Sequence, residues 1–301
     1  FRSAALNYKH WLFTDFGGQL NYIDWDVEVA AVFQNNWQAK LGFFSQPHVY
    51  SRTLLLGGPR MRLPEQYGFW WGGSSDVRKQ LSFSYNGWTK TGGEDSYFLL
   101  DNSLNITYQP LDQFNISLLP KFTMINHRLQ YVSTASFEDQ LRYLTARLDQ
   151  RTMSMALRMN YAITPDLTIQ YFAQPFLSTG QYKDYAYVRA ASAKSQAEQL
   201  HFFNQQQLNT SSDETVYQVD ENGDGKVNYT FQNPDFSFAQ FQSNLVLRYE
   251  YKSGSEIFLV WSQGLRDQQL PAPRFFDNIE NQFLASNTVH NFLMKLTYRF
   301  Y

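Results

Sequence analysis

The chain has 301 residues, 18% of them aromatic and 17% charged, with a formal net charge of −2 and no cysteine. Rings are abundant and charge is scarce beside an ordinary soluble domain; the near-neutral balance, with no basic stripe, excludes nucleic acid as a partner, and the lack of thiols removes disulfides and thiolate metal sites. No apolar run is long enough for a membrane-crossing helix and mean hydropathy is −0.46, so only strands with one polar face could carry this chain through a bilayer.

Strands are predicted in chain order at Ala4 to Phe13, Leu20 to Phe33, Trp37 to Phe44, Tyr67 to Ser75, Lys79 to Trp88, Tyr97 to Tyr108 and Phe114 to Asn126. They continue at Thr152 to Ile163, Leu167 to Gln174, Gln242 to Lys252, Ser255 to Ser262 and His290 to Tyr301, about twelve in all. The clearest is the eighth, where Met153, Met155, Leu157, Met159, Tyr161 and Ile163 alternate without a fault with Thr152, Ser154, Ala156, Arg158, Asn160 and Ala162. A period of two is the mark of a half-buried strand. Thr164-Pro165-Asp166 then turns the chain, and Leu167, Ile169 and Tyr171 resume the alternation, which makes a hairpin. Leu245, Leu247, Tyr249 and Tyr251 oppose Asn244, Val246, Arg248, Glu250 and Lys252 before Ser253-Gly254 repeats the same device.

Connections fall into two alternating kinds. Those at 34–36, 76–78, 109–113, 164–166 and 253–254 are short, and those at 45–66, 127–151, 177–240 and 263–289 are long. Short periplasmic turns and long extracellular loops alternate in this way in outer-membrane barrels. The expectation is an all-β fold: an antiparallel transmembrane β-barrel of about twelve strands, closed on itself or forming part of a larger barrel, over residues 1–301, with an extracellular insertion at about 178–240. A soluble β-sandwich is the competitor, but strands of ten residues exceed the usual globular length of about five to six. Tyr and Trp also gather near strand ends, at Trp70-Trp71, Trp88, Tyr249, Tyr251, Trp261, Tyr298 and Tyr301, as interfacial girdles require. The last strand puts Phe292, Met294, Leu296, Tyr298 and Phe300 on one face, like the C-terminal strand that barrel-assembly machinery recognises. The opening Phe1-Arg2-Ser3-Ala4 is no signal peptide, so the expectation is a mature chain or a C-terminal portion.

Several stretches together resemble a Bacteroidota outer-membrane family, the domain of unknown function 5916. They are Gly57-Gly58-Pro59, Ser75-Asp76-Val77-Arg78-Lys79, Leu148-Asp149-Gln150-Arg151-Thr152, Thr164-Pro165-Asp166-Leu167, Ala173-Gln174-Pro175-Phe176, Val219-Asp220-Glu221-Asn222-Gly223-Asp224-Gly225, and Ser243 to Tyr251 continued by Val260-Trp261-Ser262-Gln263. The resemblance implies a C-terminal barrel, preceded in full-length members by more strands and by a domain similar to carbohydrate-binding module family 9. It implies an outer-membrane location and no established activity.

Two groups of residues are candidate sites. Strand parity puts Asp24, Asp26, Glu28, Lys40, Lys121, Arg158, Arg248, Glu250 and Lys252 on the face opposite the apolar residues, where they would line a lumen. They are read either as opposed acidic and basic walls of a channel or as mutually paired charges that plug it. Asp220, Asn222 and Asp224, followed by Gly225, place oxygen ligands at alternate positions, with the Lys226 carbonyl and Asn228 as further donors. This is a candidate calcium site in an extracellular loop, or else a solvated turn, and Phe231 at the twelfth position excludes a helix-loop-helix site. His10, His48, His127, His201 and His290 show no metal-ligand spacing and are read as surface or girdle residues, and no serine sits in a nucleophile elbow, so no enzyme is expected. The paired glycines Gly17-Gly18, Gly72-Gly73 and Gly92-Gly93 are read as turns or kinks. The functional expectation is an outer-membrane channel or uptake component for small solutes or glycans, with lipid as its partner. The alternative is a non-conducting docking barrel that holds other envelope proteins.

Overall fold

The computed structural model describes residues 1–47, 49–284 and 287–300, so that His48 and Tyr301 lie outside the described residues. The strands are β1 (Ser3–Thr14), β2 (Leu20–Val32), β3 (Gln38–Gln46), β4 (Val49–Ser51), β5 (Met61–Leu63), β6 (Gln66–Ser74), β7 (Leu81–Gly92), β8 (Tyr97–Leu111) and β9 (Phe114–Phe137). They continue with β10 (Gln140–Thr164), β11 (Leu167–Val188), β12 (Leu200–Phe202), β13 (Leu208–Thr210), β14 (Val216–Val219), β15 (Tyr229–Gln232), β16 (Phe236–Lys252), β17 (Ser255–Gln269) and β18 (Val289–Thr297). Helix among the described residues is confined to short pieces: a 3-10 turn at Gly93–Asp95, α1 (Gln196–Gln199) and α2 (Phe275–Ile279), the last running into a π turn at Glu280–Leu284. No helix among the described residues is long and apolar enough to cross a membrane, which says nothing of crossing by strands.

The long strands form an antiparallel meander, β1-β2-β3-β6-β7-β8-β9-β10-β11-β16-β17-β18, within one fifteen-stranded sheet; β13, β14 and β15 make a separate small sheet. Twelve long strands match the sequence expectation, and β4, β5 and β12 are short additions to the same sheet. Closure is where the structure departs from the expected barrel. Among the described residues β1 pairs with β2 and β18 with β17, the two edge strands do not pair with each other, and both are exposed along their whole length. The sheet is open, with a row of peptide groups unpaired at each edge.

Three strands are also far longer than their sequence suggests. β9, β10 and β11 have 24, 25 and 22 residues. The expected loop at 127–151 is instead the outer half of the β9–β10 hairpin, which reverses at Glu138 and Asp139, both left-handed at φ 49° and 58°. Two successive positive φ values make the tight turn whose twist suits a hairpin. The insertion correspondingly runs over 189–235 rather than 178–240.

This projecting tongue is covered on both sides. Leu144, Ala146 and Tyr185 pack with Val219, Tyr229 and Phe231 of the small sheet. Leu129 and Ala186 pack with Leu55 and Met61 from the β3–β6 connection and Leu200 of β12. Neighbouring residues such as Tyr143 and Leu144 therefore go to different cores, and a strand buried on both faces loses the polar–apolar alternation that reveals strands in sequence.

Candidate functional site

The geometry that bears on function is the polar face of the long meander. Register carries it from strand to strand. Glu28 lies opposite Asn7 and Gly42, Lys40 opposite Ala30 and Gly72, and Gly72 opposite Asn86. Asn86 pairs with Ser103, Ser103 with Lys121, Lys121 with Ser154, and the neighbouring Ser117 with Arg158. Arg158 faces Phe172, Phe172 faces Asn244, Asn244 faces Ser262 and Ser262 faces Asn291. Directly opposed residues share a side of the sheet, so the polar set stays on one side from β1 to β18.

The other side is apolar and exposed. Leu6, Tyr8, Trp25, Val27, Val29, Leu41, Phe43, Phe69, Met153, Met155, Leu259, Phe292 and Met294 are all exposed there. Leu157 and Leu245 are half-buried in the same layer, with no second sheet laid over them. Phe43 meets Phe69 at 5.1 Å and Trp261 stacks on Phe292 at 5.9 Å, so the rings form cross-strand pairs.

Two glycines let indoles lie flat against the sheet, one on each side. A Cβ at Gly42 would sit 2.1 Å from Trp70 Cε2 on the polar side, and one at Gly87 would sit 2.5 Å from Trp71 Cε2 on the apolar side. The consecutive tryptophans thus serve opposite faces.

Of the residues expected to share a polar face, Asp24, Asp26, Glu28, Lys40, Lys121, Arg158, Arg248 and Glu250 do so in register. Lys252 lies past a register shift at the turn, with its Nζ 3.4 Å from Tyr298 Oη. The three acids of β2 are each engaged. Tyr22 Oη donates to Asp24 at 2.7 Å, Trp70 Nε1 to Asp26 at 3.0 Å and Asn7 Nδ2 to Glu28 at 3.1 Å. Lys40 lies over the Trp70 ring at 5.5 Å, Lys121 pairs with Asp101 at 3.1 Å, and Arg248 joins Glu250 and Glu256. Arg158 covers Phe172 at 5.6 Å. β2 presents an acidic row, while the other charges are engaged locally, by ion pairs or by aromatic rings. Between them lies a trough of about 430 Å³ lined by hydroxyls and amides, among them Ser84, Asn86, Asn105, Thr107 and Ser117, with Arg158 at its side.

The 220–228 loop is organised by its own hydrogen bonds. Asp220 accepts the N–H groups of Gly223 at 2.8 Å, Asp224 at 3.1 Å and Gly225 at 2.8 Å. Asn222 Nδ2 lies 3.4 Å from Asp224 Oδ2, and Asp224 Oδ1 accepts the Lys226 N–H at 2.9 Å. Asn228 turns its Oδ1 back to the Glu221 N–H at 2.6 Å. Among the described residues no group of three or more His, Asp or Glu is placed to hold a metal. The carboxylates sit with backbone amides. Glu221, inside this loop, is tied down by Arg142 at 2.9 Å and by Tyr229 Oη at 2.8 Å; burial, then the Glu221 carboxylate, pushes the Tyr229 hydroxyl well above its ordinary range.

A second feature of the polar face escaped the sequence reading. Where β3, β6, β7, β8 and β9 reach the long-loop end, the β4–β5 segment lies beside them and borders an open pocket of about 540 Å³. Its wall includes Gln46, Tyr50, Gln66, Lys90, Tyr97 and His127. Lys90 and His127 lay outside the expected strands or at their ends, and His127 is a part-buried neighbour of Tyr97, ring centroids 5.1 Å apart, rather than a surface residue. The parity of Lys90 with Asn86 was the available signal.

Fold and faces define a class: an all-β protein of long antiparallel hairpins, with one polar and one apolar sheet face. Residues 7–210 match the model of the family described as domain of unknown function (DUF5916), and the chain belongs to that family. No curated protein matches it. Among solved structures it is similar to the crystal structure of the siderophore receptor PiuA from Acinetobacter baumannii, at 10% identity and a TM-score of 0.43, over 91% of this chain and 44% of that one. The chain thus spans less than half the length of that receptor.

Proposed function

We propose that this chain is a portion of an outer-membrane β-barrel, with the apolar face in lipid and the polar face lining a water-filled passage for small polar solutes. The observation that carries the reading is the sorting of side chains in register over all twelve long strands, with the apolar side left exposed. Such a face in water would be an aggregation surface far larger than a soluble monomer tolerates, whereas in a bilayer it is the required exterior. The open edges are consistent with further strands completing the wall. Acids on β2 and a trough of hydroxyls and amides suit uncharged or weakly cationic solutes better than anions along the passage.

Conductance of the purified full-length protein in planar bilayers is the test. Discrete channels whose cation preference falls in Asp24→Asn/Asp26→Asn/Glu28→Gln support the reading; a silent bilayer with correctly inserted protein retires it. The second reading, a docking barrel for other envelope proteins, is favoured by the tongue and the small sheet. They form a platform with two cores of their own, and stable co-purification of envelope proteins without conductance would be its signature.

A further inference from the structure

The pocket beside the β4–β5 segment combines groups that the fold itself does not use. Lys90 rises from β7 with its ammonium 5.5 Å from the centre of the Tyr97 ring, and it forms no hydrogen bond or ion pair with another described residue. The two other cations at this wall are committed. Arg52 pairs with Asp15, and Arg60, stacked on Tyr50 at 4.1 Å, donates to Gln19 at 2.7 Å and to the Leu20 carbonyl. Gln66 is only 9% exposed, yet its side-chain amide makes no hydrogen bond to another described residue. His127 uses Nδ1 on Gln130 at 3.1 Å, which leaves Nε2 facing no protein partner among the described residues. The polar ends of these three side chains open onto one pocket from three strands, β6, β7 and β9, with no partner from the fold itself.

The neighbouring acid does not cancel Lys90. Asp24 is bonded by Tyr22 Oη at 2.7 Å and by Gln46 Nε2 at 3.3 Å and forms no ion pair, although its charge acts on Lys90 electrostatically. The pocket therefore offers one uncommitted positive charge, an amide with both a donor and an acceptor, an imidazole nitrogen, and the faces and hydroxyls of Tyr50 and Tyr97. A charge-assisted bond to a planar anion, hydrogen bonds to hydroxyls and an apolar ring face for a pyranose are the three demands of a sugar acid. The volume of about 540 Å³ accommodates one or two such rings.

We propose that this pocket is a binding site for a hydroxylated carboxylate of the sugar-acid class, with Lys90 holding the carboxylate and Gln66 and His127 the hydroxyls. The assignment goes beyond the passage proposed above and does not require conductance, since binding is read at equilibrium and conduction separately.

The test is calorimetric titration of the full chain in detergent micelles with glucuronate, with glucose and acetate as the comparison probes. Glucuronate is expected to bind, with glucose and acetate each at least about tenfold weaker, because each lacks one half of the recognition. Lys90→Met is expected to abolish the preference for glucuronate over glucose, Lys90→Arg to restore it in part, and Gln66→Ala to weaken glucuronate and glucose together. Thermal unfolding of each variant, expected to be unchanged or nearly so, separates a lost ligand contact from a lost fold. Equal binding of glucose and glucuronate, no binding of either, or full retention of glucuronate in a folded Lys90→Met protein would each overturn the assignment.

Discussion

The hairpins near the short turns and the tongue made by the outer halves of β9, β10 and β11 are the same strands continued, yet they obey different rules. Near the short turns each strand has one apolar and one polar side, the apolar side exposed. In the tongue both sides are buried, against the small sheet on one and the β3–β6 connection on the other. The first arrangement leaves the apolar half of its side chains uncovered; the second makes its own core. The transition between them marks where the hairpins gain cover on both sides.

The sharpest way to break this contrast is through ion pairs. In the tongue Arg142 and Glu221 have side chains only 12% and 8% exposed, and Arg142 also lies over Tyr187 at 5.0 Å. Glu221→Ala leaves a buried guanidinium unpaired and is expected to cost about 3–5 kcal/mol, read by urea unfolding and by early proteolysis within 189–235. On the polar face, Arg248 and Glu250 are 33% and 27% exposed, and Glu250→Ala is expected to cost less than about 1 kcal/mol. Equal penalties at the two positions would mean that the tongue is as solvated as the sheet.

Apolar truncation comes next. Leu144 is 1% exposed, and Leu144→Ala is expected to cost about 2–5 kcal/mol in any solvent that keeps the protein folded. Leu259 is 46% exposed on the apolar sheet side, opposite Leu247. Leu259→Ala is expected to be nearly silent in detergent, whereas Leu259→Lys is expected to cost about 2–4 kcal/mol on folding into phospholipid vesicles. A lysine tolerated there in vesicles would place this face in water and remove the membrane reading.

Those two leucines also show what was legible in the sequence. Around Met153 the period of two is unbroken, because one side meets polar groups and the other does not, and the strand and both its faces could be read directly; around Leu259 the run Ile257-Phe258-Leu259-Val260-Trp261 showed a strand but not its faces. Around Leu144 the residues Tyr143, Leu144, Thr145 and Ala146 all find a covered place, so the pattern reads as irregular and the segment was expected to be a loop. Glu138-Asp139 added to the error, since its left-handed turn lacks the Asn-Gly or Asp-Gly that marks such turns. The pocket was hidden for a different reason: Gln66, Lys90 and His127 are far apart in sequence and come together only through hairpin register. The charged row of β2 needed only local parity and was visible at once.

A smaller effect is expected in the loop after β14. Asp220 accepts three backbone N–H groups, but these are exposed and water can replace the carboxylate in part. Asp220→Ala is therefore expected to cost about 1 kcal/mol, seen as faster amide exchange at Gly223 to Gly225 with the Arg142–Glu221 pair intact. Loss of the whole small sheet instead would show that the loop, and not the core around Val219, holds that sheet in place.

The finest test lies at the opposite end of the strands, where no tongue exists and neighbouring turns are stitched together by polar contacts. Asp76, in the β6–β7 turn, receives Arg78 Nε at 2.9 Å, Arg78 Nη2 at 2.8 Å and the Arg78 N–H at 3.1 Å. Asn36 of the β2–β3 turn adds Nδ2 at 3.3 Å and is itself bonded by Arg2 at 3.1 Å. These donors, the Arg78 side chain foremost, hold the Asp76 carboxyl well below the ordinary carboxylate range. A folded-state pKa depressed in this way contributes stability above the unfolded value of about 3.9 and loses it as pH falls toward the folded one. Asp76→Asn is accordingly expected to be less stable than the parent at neutral pH and to show a shallower loss on acidification, so that the two unfolding curves converge at low pH. Parallel curves would mean that the turn contacts add nothing to folding, and that register at this end is set by the strands alone.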